Sequence, residues 1–496
     1  QKIEYGKARL HGIFTEESTR RFAAFQSEMY EFGESVGKLL ARRARQKSIQ
    51  NEIRSLKDED GNECTEKTGI MTIMQVYYQK LYLQDFEVSP EEVSEYLREG
   101  LPSLSLEDND VLRRGMAMEE LVAAMGSLAS GKSTGPDCIP LEFYVVMQEV
   151  LISKMLALFR VVQTGSNIPE SWSRTRIVVF PKKDKDPTLP SSYRPIALIN
   201  SDSKIYSKVL ATRLGGLIAG MVSPWQHGFV PGRGTVDHIQ RAIALIDVCQ
   251  VNKTPFALIL LDAEKAFDRV AWDYLWITMK GLGVCEEFIT AVRSLYWGPR
   301  ARIRVNDNET EEIVVSRGTR QGCPCSPLLF ALYLEPFIQK LMGNLNINPV
   351  TVGGNCTKIL AYADDIAVTT TDPSTAMVAV EAAAAEFGKV AGYKLNRSKT
   401  QVLSNSFCNQ RTEWEVVRAT YLGVQLSMRL DQIIPLNLDF LLDKARVKLK
   451  GLDNLHLTLI GRINIIKMLI LPMFLYLFRA MPLYITRSRM LAIESL

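Results

Sequence analysis

The sequence predicts an α+β protein with a helical N-terminal extension, and three observations predict it. A chain of 496 residues is long enough for about three domain-sized units, and a hydrophobic content of 47% supplies their cores. From about Thr15 to Leu56 the pattern is charged and helical, whereas from Ala117 onward helical periodicity alternates with β-branched runs such as Arg176–Phe180 (RIVVF) and Phe256–Asp262 (FALILLD). Two of those apolar runs carry carboxylates where a core strand has no use for them: Asp262 at the end of FALILLD, and Asp364 and Asp365 inside Ala361–Val368 (AYADDIAV).

Composition narrows the function classes. Lys and Arg number 59 against 55 Asp and Glu, so a net charge of +4 does not by itself argue for a polyanionic partner. Eight cysteines lie scattered without a C-x-x-C pair and only four histidines are present, so no zinc site or disulfide framework is legible and a reducing compartment is expected. The first residue is Gln and no charged-then-apolar leader follows, which predicts no secretory signal and a fragment of a longer polypeptide. The most apolar run, Met468–Phe478, is too short for a membrane span and contains Pro472, so it reads as a buried helix.

The elements follow in order. The N-terminal helical pattern carries a basic run, ARRARQK at Ala41–Lys47, before a turn at Asp58–Glu63 (DEDGNE). Ser89-Pro-Glu-Glu reads as a helix start with a capping Ser, Pro at the first position and acids in the first turn. A helix through Met125, a loop at Gly131–Pro140 and a helix to Val162 precede the RIVVF strand. FALILLD runs into a helical pattern, AEKAFDRVAWDYLW, and a hairpin of ARIRV and EEIVV then leads to a capped helix start at Ser326-Pro327. KILAYA and IAVTT form a second hairpin, with Asp364 and Asp365 at its turn.

Ionised carboxylates resist burial unless a cation or hydrogen bonds compensate them, and adjacent ones repel. Asp262, Asp364 and Asp365 therefore point to one shared cation site. Mg²⁺ prefers oxygen ligands and is usually held by one or two carboxylates plus substrate phosphates. Two such ions, about 3.5–4 Å apart, clamp an in-line attack on a phosphoryl group. Between Arg174 and Arg194 the basic residues 174, 176, 182, 183, 185 and 194 outnumber the acids 184 and 186, a local +4 suited to a triphosphate.

Nine segments supply the context: GKSTGPDCIP; FPKKDKDP with YRPIALIN (Tyr193–Asn200); QHGFVPGRG (Gln226–Gly234); LDAEKAFD (Leu261–Asp268); GTRQGCPCSPLLF (Gly318–Phe330); YADD (Tyr362–Asp365); GYKLNRSKT (Gly392–Thr400); YLG (Tyr421–Gly423); and LIGRINIIKM (Leu459–Met468). In this order they resemble the reverse transcriptase of long interspersed elements, the non-LTR retrotransposons. The resemblance covers about residue 117 to the C-terminus closely and the N-terminal extension more loosely.

That resemblance implies a right-hand polymerase fold: a helical extension over 1–116, fingers over 117–255, a ferredoxin-like palm over 256–427 and an incomplete thumb over 428–496. It makes Asp262, Asp364 and Asp365 the ligands of two Mg²⁺ ions, with Mn²⁺ as a substitute, and Lys399 a donor to the pyrophosphate leaving group. Lys182 and Arg194 would grip the phosphates, the Arg bidentately. Ala263, Phe267, Gln321 and Gly322 would form the nucleotide pocket, with Phe267 under the sugar blocking a 2′-hydroxyl and Gly322 admitting close backbone approach. As an isolated residue Phe267 would be a core aromatic. Tyr421, Leu422 and Gly423 would grip the primer end. The thumb's apolar stretch Leu457–Phe478 would be core, with Arg462 and Lys467 facing the duplex.

Cys138 departs from a glycine and Cys325 from a leucine of the family pattern, and both read as packing changes. The implied activity is RNA-templated DNA synthesis from a 3′-hydroxyl, with target DNA as primer, dNTPs as substrates, no membrane, and a nuclear and cytoplasmic, intracellular setting. An RNA-dependent RNA polymerase is disfavoured by Phe267 and by Ala, not Gly, before the paired aspartates. A non-catalytic RNA-binding scaffold would predict loss of a carboxylate, and none is lost. Intron maturases and telomerase share the palm, but GRINIIKM and TRQGCPCSPLLF favour the retroelement group. Oligomeric state is not legible.

Overall fold

The computed structural model describes residues 52–98, 100–182, 185–406, 408, 412–450, 459–482 and 485–495. The helical pattern before Leu56, the ARRARQK run and Lys183 with Asp184 lie outside the described residues. Two compact units result: residues 53–234 with 255–415, and residues 235–254 with 416–496.

The larger unit begins with a short hairpin, Leu56–Lys57 against Glu63–Cys64, and helix α1 (Lys67–Tyr82). Ile70, Met74, Tyr78, Leu81 and Tyr82 recur at helical spacing, and that stripe is buried. Helix α2 (Pro90–Tyr96) starts as the sequence predicts, the Ser89 hydroxyl accepting from the Glu92 amide. After a helical layer spanning 106–163, strands β1 (Arg174–Pro181) and β2 (Tyr193–Leu198) pair antiparallel, from Arg176 opposite Leu198 to Pro181 opposite Tyr193. Their alternation places Thr175 and Ile177 inward, and Ile177 shares a core with Met74 and Tyr78 of α1.

Helix α3 (Ser201–Met221) leads towards strand β3 (Ala257–Leu261), whose five residues are all buried. A run without alternation is what a central strand covered on both sides requires. The predicted helix over AEKAFDRVAWDYLW is only half formed. Lys265 adopts φ +51, Ala266–Arg269 is a short 3₁₀ turn, and helix α4 begins at Trp272 and runs to Gly281. The carbonyls and amides here bond to other segments instead: Thr319 N donates to Phe267 O at 2.7 Å and Gly318 N to Val270 O at 2.8 Å.

Strand β4 (Arg300–Val305) joins β1 in parallel and pairs with two short return strands, β5 (Asn308–Glu309) and β6 (Ile313–Val314). Helix α5 (Ser326–Gly343) follows. Ser326 proves to be its first helical residue rather than its cap; Cys325 holds the cap position and offers no side-chain bond. Strands β7 (Ile359–Tyr362) and β8 (Asp365–Thr370), helix α6 (Pro373–Ala391) and strand β9 (Gln401–Ser404) complete the sheet in the order β7-β8-β3-β9, antiparallel throughout. The chain order β3-α5-β7-β8-α6-β9 and this strand order are the ferredoxin-like split βαβ arrangement.

The smaller unit holds the helix Thr235–Val251, the hairpin β10 (Arg418–Tyr421) and β11 (Val424–Ser427), and C-terminal helices. One of these is continuous from Leu459 to Ala480, with a π turn at Ile466–Ile470 just before Pro472, which has no amide to donate. The expectation of a buried helix is corrected here: only 28% of its most apolar 18-residue window is buried. Ile465, Ile470, Phe474, Leu477 and Ala480 face inward, while Leu459, Ile460, Ile466 and Leu475 are exposed. Its 22 residues are long and apolar enough to cross a membrane by length and composition alone.

Candidate active site

Asp262 follows directly on the buried strand β3, and Asp365 opens β8. Ile366 is registered opposite Leu261, so the next position outward sets Asp365 against Asp262 at the same sheet edge. Asp364 completes the set from the turn joining β7 and β8. Burial raises the Asp364 carboxyl, and the charge on Asp262 adds to it. Burial also pushes Asp365 up to about 6, with Asp364 and then Asp262 contributing repulsion, although the residue keeps a face open to solvent. The three predicted carboxylates thus share one electrostatic environment.

Among the described residues no three acid, His or Cys side chains form a ready-made metal cage. A cluster partly open to solvent suits an ion that takes its remaining oxygens from outside the protein. The ammonium of Lys399 lies 3.0 Å from Asp262 Oδ2, so a cation already sits on one of the three acids.

The turn that carries Asp364 is held from outside the sheet by residues the sequence did not single out for this role. Gln226 is fully buried, and its Oε1 accepts from both Gly228 N (2.7 Å) and Ala363 N (3.0 Å). Ala363 has φ +54, a conformation costly for a residue with a Cβ, and the Gln226 bond helps to fix it. His227 N donates to Ala361 O at 2.8 Å and Ala361 N to Trp225 O at 3.0 Å, continuing the clamp. A Cβ on Gly228 would fall 2.0 Å from Ala363 N, so only glycine fits there. On the other side Asn396 N donates to Asp262 O at 2.7 Å, and Ala263 bridges Leu395.

Phe267 is half-buried, stacked on Phe330 with ring centroids 4.0 Å apart and edge-on to Phe229 at 5.9 Å. A cavity of about 220 Å³ opens beside it, lined by Phe267, Arg320, Gln321, Gly322, Cys323 and Pro327. Gly322 has φ +120, and a Cβ there would meet Ala197 O at 2.6 Å, which accounts for glycine at this place in the motif. Ala197 N in turn donates to the Gln321 carbonyl at 2.8 Å, tying this segment to β2.

Arg194 is exposed on β2, and its charge reaches Asp364. Lys182, just past β1, donates to Ser191 O at 3.0 Å; burial lowers its pKa, and the charges of Lys399 and Arg194 lower it further. Lys265, which the sequence did not single out, donates to Tyr193 O at 3.1 Å and is pushed by burial down to about 8. The local +4 of Arg174–Arg194 is not all directed here: Arg174 pairs with Glu170 at 2.6 Å and Arg176 with Glu309.

In the smaller unit, Tyr421 pairs with Val424 across a two-residue turn in which Leu422 (φ +47) and Gly423 (φ +80) both take left-handed geometry, the type I′ form. The Tyr476 hydroxyl donates to Leu422 O. Arg462 and Lys467 are exposed on the long apolar helix. Of the two departures, Cys325 is fully buried, as a packing change requires. Cys138 is exposed with φ +59, so glycine is favoured there by backbone geometry, and the packing reading is corrected.

Residues 180–426 match the family model for reverse transcriptase (RNA-dependent DNA polymerase). The transposon TX1 uncharacterized 149 kDa protein of Xenopus laevis is 28% identical over 77% of this chain and 30% of its own length. The Pol polyprotein of the type-2 retrotransposable element R2DM of Drosophila melanogaster is 28% identical over 57% of this chain and 25% of its own. The RNA-directed DNA polymerase from the Drosophila melanogaster mobile element jockey is 24% identical over 52% of this chain and 28% of its own. The chain therefore spans less than a third of the length of these relatives.

Proposed function

The chain carries a reverse transcriptase domain related to those of non-LTR retrotransposable elements, and from that premise we propose that it extends a primer 3′-hydroxyl with dNTPs on an RNA template, within target-primed retrotransposition inside the cell. The observation that carries the reading is the meeting of Asp262, Asp364 and Asp365 at one edge of the β3 and β8 strands, all inside the matched segment.

Asp262, Asp364 and Asp365 would hold Mg²⁺ together with the nucleotide's phosphates, and the ion would supply charge stabilisation at the attacking and leaving oxygens. The chain's own residues do the rest. Gln226 and Gly228 fix the turn bearing Asp364, so the carboxylates do not reorganise when substrate arrives. Lys182 and Arg194 offer positive charge to the triphosphate. Lys399 donates to Asp262 Oδ2 and would serve as the donor to the leaving pyrophosphate. Phe267 walls the cavity in which the sugar would lie.

The test is primer extension by the purified chain on RNA and DNA templates, with dNTPs or rNTPs and Mg²⁺, beside Asp364→Asn. RNA-templated incorporation of dNTPs that Asp364→Asn abolishes is the expected result. Extension with rNTPs alone would move the reading to an RNA polymerase. Duplex binding without extension would move it to a scaffold.

A further inference from the structure

Asp268 directly follows Phe267 and is 2% exposed, yet it ligates nothing in the reading above. A buried carboxylate needs compensation, and beside the charges of Lys265 and Lys182 it takes side-chain hydrogen bonds from two segments distant in the chain, one of which, at Gln321, lines the nucleotide pocket. The Tyr82 hydroxyl, at the last residue of α1, lies 3.2 Å from Asp268 Oδ1, and the Gln321 amide reaches the same oxygen at 3.5 Å. A second tie joins the same partners. Arg317, the largest fully buried side chain among the described residues, donates to Leu81 O at 2.8 Å and Lys80 O at 3.3 Å and pairs with Asp85 at 2.6 Å. Ser316 N donates to Tyr82 O at 2.9 Å. The last turn of α1 is thereby capped by the segment that, four residues on, supplies Gln321 and Gly322.

We infer that Asp268 is a positioning residue for nucleotide selection: the Tyr82 hydroxyl of the N-terminal extension holds it, it orients Gln321, and the end of α1 thus sets the pocket wall opposite Phe267. The inference rests on the polymerase reading and goes beyond it, because α1 lies outside the matched segment. The Thr319 amide bonds the Phe267 carbonyl at 2.7 Å, so a shift of Asp268 is shared by both walls of the cavity.

Tyr82→Phe removes one donor and no volume. The readouts are kcat and KM for single dTTP and UTP insertions on one RNA template, with a melting curve for each protein. Tyr82→Phe should raise KM for dTTP about tenfold and narrow the dTTP/UTP preference, while kcat stays within about twofold, since a slackened pocket wall weakens binding of ground state and transition state alike. Asp268→Asn keeps an acceptor for Tyr82 and should lose less than Asp268→Ala. A purely structural role would lower the melting temperature and the active fraction, depressing kcat for both nucleotides with KM and the preference unchanged, and that outcome overturns the inference alone. A wild-type chain that fails to extend any primer overturns the polymerase reading and the inference with it.

Discussion

Lys399 Nζ lies 3.0 Å from Asp262 Oδ2, which makes a lysine the nearest cation to a carboxylate proposed for metal. Both side chains are partly exposed, so the pair is screened and contributes no more than about 1 kcal/mol. Lys399→Ala should therefore lower the Mg²⁺ concentration needed for half-maximal extension by up to about fivefold. If Lys399 also protonates pyrophosphate, kcat should fall by about a hundredfold at saturating Mg²⁺. A Mg²⁺ titration of both proteins separates the effects, and an unchanged kcat reduces Lys399 to a counter-charge.

Phe267 stacks on Phe330 and presents its remaining surface to the cavity. Shrinking the wall should admit a 2′-hydroxyl. Phe267→Val is expected to shift the dNTP/rNTP ratio of kcat/KM towards rNTPs by an order of magnitude or more, about 1.4 kcal/mol in differential transition-state energy. An unchanged ratio with both activities lowered would make Phe267 a core residue only.

A methyl at position 228 has no space, because the Ala363 backbone occupies it. Gly228→Ala must displace the turn carrying Asp364, and extension should fall by about a hundredfold while the melting curve stays cooperative. Near-normal extension would show that the turn tolerates the shift and that its clamp is not needed for activity.

Glu335 is fully buried on α5, accepts from Gln339 at 2.6 Å, and is pushed by burial up to about 7. The folded chain holds this proton to higher pH than the unfolded chain does, so stability falls as pH rises from about 4.5 to about 7. The loss is about 3 kcal/mol above that window. Glu335→Gln should flatten this slope in denaturant melts taken across the window, and identical slopes in both proteins would refute the assignment.

Cys138 is exposed at φ +59. Cys138→Gly should stabilise the larger unit by up to about 1 kcal/mol by relieving left-handed strain, partly offset by the freer unfolded chain. Denaturant titration gives the sign, and destabilisation would mean that the side chain makes a contact worth more than the strain.

The carboxylates were legible in the sequence because an acid at the end of a strand such as ALILL contradicts its own surroundings, and Gly322 because a motif glycine marks a close approach. The ferredoxin-like order was legible only through the resemblance, since alternating strands and helices indicate a mixed fold but not a strand order. Gln226, Tyr82 and Arg317 were not legible as supports, since their partners lie 137, 186 and 236 residues away and only the folded chain brings them together. At Cys138 the departure was visible but its cause was not, because a left-handed φ leaves no mark on residue type except where glycine is retained. Apolar content misled at 459–480, where composition cannot say which faces are covered.

The cap that Arg317 and Ser316 place on α1 also has a temporal side. Ser316 and Tyr82 are 234 residues apart in the chain. At about 5–20 residues per second, a ribosome delivers the second partner roughly 10–50 s after the first. Throughout that interval the nascent chain holds the end of α1 without the Ser316 and Arg317 bonds that cap it, which makes the emerging amino-terminal segment a client for cotranslational chaperones.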